Sequence, residues 1–212
     1  MRADWIADRL PAAGRVLDVG FAGEKSSAVH EHLRARSPHV TLVGVDLNIA
    51  RLQTLRLPMT LGGDVAALPF ADATFDAVIA GELLEHLESP ETVLPEFARV
   101  MKSGGRLLIT TPNPYELQRW VRHWVWAANP GSHENVSRFL GNADHKGFVE
   151  PVSFCRTLRR HNLDTVELKT IKFHLPLLGR VFRRSAIIAG DFFPLNRLGA
   201  YLCLVAVKRP AD

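Results

Sequence analysis

Residues 15–23 read Arg15-Val16-Leu17-Asp18-Val19-Gly20-Phe21-Ala22-Gly23. A β-rich run closes on an aspartate and a glycine turn, and residues 25–36 then read as a helix. Such a strand-turn-helix places a tight backbone bend at the carboxyl edge of an open α/β sheet, where ligands of these folds bind. Working outward, Val40 to Val45 reads as a second strand, residues 48–56 as a helix, and Met59 to Leu61 as a short third strand. Phe75 to Ala80 reads as a fourth strand, Pro90 to Met101 as a helix capped by Ser89, and Gly105 to Thr111 as a fifth strand stopped by Pro112 and Pro114. After an irregular stretch, residues 151–161 resume a helix, Asp164 to Phe173 alternate as a strand, and Ala200 to Val207 form a last apolar strand. Strand and helix alternate, the pattern of an α/β domain.

The rest of the composition bounds the problem. With 212 residues, 47% apolar and 23% charged, the chain is one ordinary globular domain. Its two cysteines, Cys155 and Cys203, are far apart, which argues against a zinc site, a redox pair or a disulfide framework. The start Met1-Arg2-Ala3-Asp4-Trp5 lacks the apolar core of a signal peptide, and charged residues interrupt every long apolar stretch, so the expected location is cytoplasmic. Charge is uneven: residues 1–98 carry 8 Lys/Arg against 14 Asp/Glu, whereas residues 99–212 carry 18 against 8. The basic residues are scattered, which suits a solvated surface more than a nucleic-acid track.

Glycines at 20 and 23 let a ligand approach the backbone. A dinucleotide fingerprint would need glycine at 22 and 25 as well, where Ala22 and Lys25 stand. Two further carboxylates follow the next strands. Asp46 ends the second, where an acid accepts the hydroxyls of a ribose. Asp64 follows Gly62-Gly63, where it could receive an adenine amino group while Val65 packs on the ring. Each aspartate alone reads as a cap or turn residue; three after three successive strands point to a nucleoside.

These segments resemble the class I S-adenosylmethionine-dependent methyltransferases, most closely the branch of ubiquinone and menaquinone biosynthesis. The matching motifs run in order over residues 14–114: Val16 to Gly23, Gly44-Val45-Asp46, Gly63-Asp64-Val65 with Leu68-Pro69-Phe70, Phe75-Asp76-Ala77-Val78, Gly81 to Leu87, and Arg99 to Ile109. The family usually has Gly-Cys-Gly-x-Gly in the first motif, and here Phe21, Ala22 and Glu24 depart from it. The resemblance implies a Rossmann-like, seven-stranded, mostly parallel sheet with helices on both faces and an antiparallel C-terminal strand. It also implies S-adenosyl-L-methionine as cofactor: Asp18 and the turn Gly20, Phe21, Ala22 and Gly23 at its methionyl part, Asp46 with Leu47 at the ribose, Asp64 and Val65 at the adenine, and Gly81 and Glu82 at the reactive side.

Methyl transfer from a sulfonium is an in-line displacement, so alignment and exclusion of water matter more than catalytic side chains. A hydroxyl acceptor would need a base, and histidine matches neutral pH. His86, just after the fourth strand, and His133 and His145, in the inserted loop, are the candidates. Glu82-Leu83-Leu84-Glu85-His86 also matches the E-x-x-E-H pattern that ubiquinone-pathway O-methyltransferases use for a divalent ion, with Glu82 and Glu85 on one helical face. The plainer expectation is that Glu85 and His86 begin the next helix and pair locally, with no metal.

Two insertions, residues 115–147 and 174–199, would carry acceptor specificity. The first places Trp120, Val121, Trp124 and Val125 at helical spacing among Arg119, Arg122 and His123; the second sets Leu175, Leu177, Leu178, Val181 and Phe182 beside Arg180, Arg183 and Arg184. Two readings stay open for these stripes: core packed on the sheet, or a lid over a hydrophobic or lipid-linked acceptor with peripheral contact at an anionic membrane surface. The expected activity is methyl transfer to a small molecule, a hydrophobic or lipid-linked compound, a sugar or a natural product, at a hydroxyl oxygen first with carbon and nitrogen acceptors open, and with no nucleic acid as partner. The rivals are an NAD-dependent oxidoreductase and a cofactor-binding protein without turnover.

Overall fold

The structure, a computed structural model, describes residues 2–117, 145–147, 149–174, 187–188 and 197–210; at 24, 25, 173, 174, 187 and 188 it describes the backbone alone. The tryptophan stripe of the first insertion, His133 and the leucine stripe of the second lie outside the described residues.

The first strand, β1 (Gly14–Val19), pairs in parallel with β2 (Val40–Asp46) on one side and β4 (Phe75–Gly81) on the other. β3 (Thr60–Gly62) adds to the edge of β2, and β5 (Met101–Pro112) to β4, both in parallel. The last strand, β9 (Tyr201–Lys208), runs antiparallel to β5 and to β6 (Leu163–Ile171). The order is β3-β2-β1-β4-β5-β9-β6: seven strands, one reversed. A two-residue pair, β7 (Phe173–His174) with β8 (Ile187–Ile188), stands apart.

Alternation along each strand splits the core in two. Val16, Ala77, Ile79, Leu108, Cys203 and Val205 turn to one face, where α1 (Arg2–Ala7) sends in Trp5 and Ile6 and α2 (Glu24–Arg36) sends in Leu33. Leu17, Val19, Val78, Ala80, Leu107 and Ile109 turn to the other, beneath Phe97 and Val100 of α4 (Leu94–Val100) and Phe154 and Leu158 of α5 (Pro151–Arg160). α3 (Ile49–Leu55) links β2 to β3. Both faces of the sheet are therefore covered, as a parallel sheet requires.

Two expectations are corrected here. The helix expected from Pro90 divides into a 3₁₀ turn over Pro90–Val93 and then α4, and Ser89 makes no side-chain cap; Pro95 removes a donor that a continuous helix from Pro90 would use. β5 begins at Met101, four residues early, because Met101 pairs with Phe75 before a register shift. α1 is a further helix, in a segment to which the sequence reading assigned no element.

Candidate active site

The five strands paired in parallel, β1 to β5, end on one rim, and the described candidate residues collect there. Gly20 sits at φ +68, and a Cβ on it would stand 2.6 Å from Leu83 Cδ1, so the turn after β1 requires glycine. Its N–H donates to the Val45 carbonyl at 2.8 Å. Phe21 points inward, 1% exposed, onto Leu52 of α3, and its ring lies 2.5 Å from where a Cβ on Gly44 would be. The departure from the family's first motif is thus absorbed as packing: the large side chain fills the space between the turn and α3.

Asp46 ties the turn to the next helix. Its Oδ2 accepts the Ala22 N–H and its Oδ1 the Asn48 N–H, both at 2.8 Å. Leu47 beside it is 73% exposed, an apolar side chain set at the rim with nothing over it among the described residues. The Asp46 carbonyl accepts the Gly63 N–H, which brings Asp64 alongside, its Oδ1 accepting from the Ala66 N–H at 2.9 Å. Val65 is buried behind it. Asp18 is 4% exposed; its Oδ2 is 2.8 Å from His30 Nδ1, and burial pushes its carboxyl above the usual range. Gly23, at the exposed opening of α2, and Gly81, at the end of β4, complete this rim.

Glu82 holds φ +54, a left-handed conformation that costs a non-glycine residue about 1 kcal/mol or more. Its N–H donates to the Thr110 carbonyl and its carboxylate pairs with Arg2 of α1, the side chains 15% and 13% exposed. The Arg2 guanidinium also lies over the Tyr201 ring, 5.4 Å from its centroid, and its charge is felt at Asp18. Arg2 and Tyr201 are site residues that the sequence reading missed. The signal was Trp5, Ile6 and Leu10 at near-helical spacing, which docks α1 and so carries Arg2 to the rim.

The shared face expected for Glu82 and Glu85 does not form. Glu82 lies outside any helix, while Glu85 belongs to an isolated 3₁₀ turn, Leu84–His86, that does not begin the next helix. Glu85 is 1% exposed; its Oε2 accepts from Thr111 Oγ1 at 3.0 Å, its Oε1 has no partner among the described residues, and burial raises its carboxyl above the usual range. Its carbonyl accepts the Lys146 N–H at 2.8 Å, which draws residues 145–147 onto the turn. His145 thereby meets His86, ring centroids 5.0 Å apart, and ligand atoms of Glu85, His86 and His145 lie within 4.8 Å of one another. Farther along the same rim a cavity of about 450 Å³ opens between Asn113, Tyr115, Leu117, Leu168, Leu198 and Leu202.

Comparisons with known proteins agree with this architecture. Residues 17–109 match the family described as a methyltransferase domain. The ubiquinone biosynthesis O-methyltransferase of Xylella fastidiosa (strain 9a5c) is 30% identical, with 82% of this chain and 70% of that protein covered. Its counterpart in Hahella chejuensis is 32% identical over 84% and 74%. Among solved structures, the methyltransferase in the Haloferax volcanii complex with the Trm112 activator superimposes with a TM-score of 0.65 at 21% identity, covering all of this chain and 90% of that one. An S-adenosylmethionine-dependent methyltransferase from Archaeoglobus fulgidus gives 0.63 at 19%, over 97% and 94%. The chain belongs to the class I S-adenosylmethionine-dependent methyltransferases. It is a methyltransferase with S-adenosyl-L-methionine as cofactor, and the oxidoreductase and non-catalytic readings are set aside.

Proposed function

We propose that this enzyme methylates a hydroxyl oxygen of a small hydrophobic acceptor, held at the rim between the end of β4 and residues 145–147. The observation that carries the reading is the meeting of His86 with His145 over the buried Glu85 carboxylate, one turn beyond Glu82. The rim fits the cofactor. Asp46 keeps lone pairs for a ribose, Asp64 lies alongside for the adenine amino group, and exposed Leu47 offers the base an apolar face. Asp18 and Glu82 set negative charge near the cofactor's cationic centres. Arg2, with one Nη on Glu82, has further N–H groups for the cofactor's carboxylate. When bound, S-adenosylmethionine supplies an electrophilic methyl group on a sulfonium.

His86 or His145 would take the acceptor's hydroxyl proton as attack proceeds. The apolar cavity along the rim suits a hydrophobic portion of the acceptor, and the ~30% identical ubiquinone-pathway O-methyltransferases support oxygen as the methylated atom. Incubation with methyl-labelled S-adenosylmethionine and a panel of alkylated phenols and catechols should yield labelled methyl ethers. Product exclusively at nitrogen or carbon across hydroxyl, amine and activated-carbon acceptors would reject the oxygen assignment.

A second reading of the same cluster is favoured by Glu85 Oε1, which has no partner among the described residues: a divalent cation held by Glu85, His86 and His145. Turnover unchanged by exhaustive dialysis against a chelator would leave the histidine-base reading, and turnover abolished and restored by added metal would replace it.

A further inference from the structure

The Asp18 carboxylate is held in an unusual way for so buried a group. Its Oδ2 faces His30 Nδ1 at 2.8 Å, and its Oδ1 accepts no hydrogen bond among the described residues. An ionised carboxylate only accepts, so the proton of this contact belongs to His30 Nδ1. His30 itself is fully buried on α2, its ring 4.3 Å from the Phe21 ring at 31°, and its Nε2 has no partner among the described residues. Phe21 in turn is locked between Leu52 and the backbone of Gly44, where no Cβ fits. Turn, ring and imidazole therefore form one stack with a single polar output, the N–H aimed at Asp18. Around the carboxylate, the charged groups are Arg2 from α1 and Asp46 from the end of β2.

We infer that His30 is a positioning residue for cofactor binding: its Nδ1–H anchors one oxygen of Asp18 so that the other is presented, fixed and charged, to the ammonium group of the cofactor's methionyl part. The inference rests on the reading that Asp18 serves that end of the cofactor. It explains why a histidine is buried in the first helix after β1 with half its hydrogen-bonding capacity unused. A packing residue there would be apolar, and a base would need access that His30 lacks. Without the anchor, the carboxylate would lose the donor that offsets its burial and could turn away or take up a proton.

The test separates the ammonium from the rest of the ligand. Calorimetric titrations use S-adenosylhomocysteine, which carries the amino acid end, and 5′-methylthioadenosine, which lacks it, against the native enzyme and the variants His30→Asn, His30→Gln and His30→Leu. An asparagine amide reaches the place of Nδ1, a glutamine amide the place of Nε2. We expect His30→Leu and His30→Gln to bind S-adenosylhomocysteine about tenfold or more weakly, the loss of a hydrogen bond to a charged group. His30→Asn should stay within about threefold of native, and all variants should bind 5′-methylthioadenosine equally. Should His30→Leu fail to fold, the two amides, which burden the fold alike, still separate the outcomes. Equal affinity of His30→Asn and His30→Gln for S-adenosylhomocysteine, or equal losses for both ligands, overturns the positioning role. A native enzyme that binds neither ligand overturns the reading of the site as well.

Discussion

Arg2 carries the residue-scale logic of the site. It lies partly buried between the Glu82 carboxylate and the Tyr201 ring, at an edge otherwise rich in acid. A guanidinium is a rigid fork of donors, so one engaged Nη leaves others for a ligand carboxylate, whereas an ammonium offers only a point charge. Arg2→Ala should weaken S-adenosylhomocysteine about tenfold, and Arg2→Lys should recover part of that loss. The decarboxylated analogue should bind Arg2→Ala and native enzyme alike, as read by competition calorimetry; a parallel loss for both ligands would assign Arg2 to scaffold. The placement of Asp18, Asp46 and Asp64 on the rim was legible in the sequence because each lies at or just past the carboxyl end of a strand. Arg2, Tyr201 and His30 were not, because their meaning lies in what a distant element brings beside them: Glu82 is 80 positions from Arg2, and nothing local marks the pair.

At the scale of elements, the short parallel strands and their helices were legible from apolar runs and the turns between them. The boundaries that failed are those set by pairing or by proline. Strand β5 extends to Met101 through its partner Phe75, and Ser89 lost its cap to a 3₁₀ turn. The 3₁₀ turn of Leu84–His86 was beyond sequence reasoning, since its shape depends on the Glu85 side chain burying against Thr111. A cap that did not stand out is Glu150, whose carboxylate accepts the Val152 and Ser153 N–H groups at the start of α5; these bonds hold its carboxyl below the usual range. Glu150→Ala should cost about 1 kcal/mol of stability, measured by urea unfolding at neutral pH. Because the shift is downward, that difference should shrink as the pH falls through the depressed value.

Across the whole molecule, the rim works because both faces of the sheet are sealed. Arg9 beyond α1 makes two 2.7 Å bonds to Glu167 on the far edge strand β6, spanning the sheet's face and holding the Glu167 carboxyl below the usual range. The stability from this pair is complete above the ordinary carboxylate range and is lost as pH drops through the depressed value. Arg9→Ala should therefore unfold about 1 kcal/mol more easily at pH 7, with the gap to native closing as the pH falls through the depressed Glu167 value; a gap independent of pH would assign the loss to the contact of Arg9 with Trp5 instead. The same clasp keeps α1 in place and, with it, Arg2 at the rim. Part of the acid in the first half of the chain, read from the sequence as a net deficit of positive charge, is a set of carboxylates at one edge of the sheet, Asp18, Asp46, Asp64 and Glu82, while Asp4 and Asp8 pair with Arg36 and Asp76 with Lys102 elsewhere.

Titration of native enzyme and Asp46→Ala with S-adenosylhomocysteine in a calorimeter tests the account most directly. It predicts one site per chain on the native enzyme and an affinity at least about tenfold lower for a folded Asp46→Ala, since a buried ribose hydroxyl then loses a charged acceptor. Native protein that gives no heat, or an Asp46→Ala variant that binds as tightly as native, would contradict it.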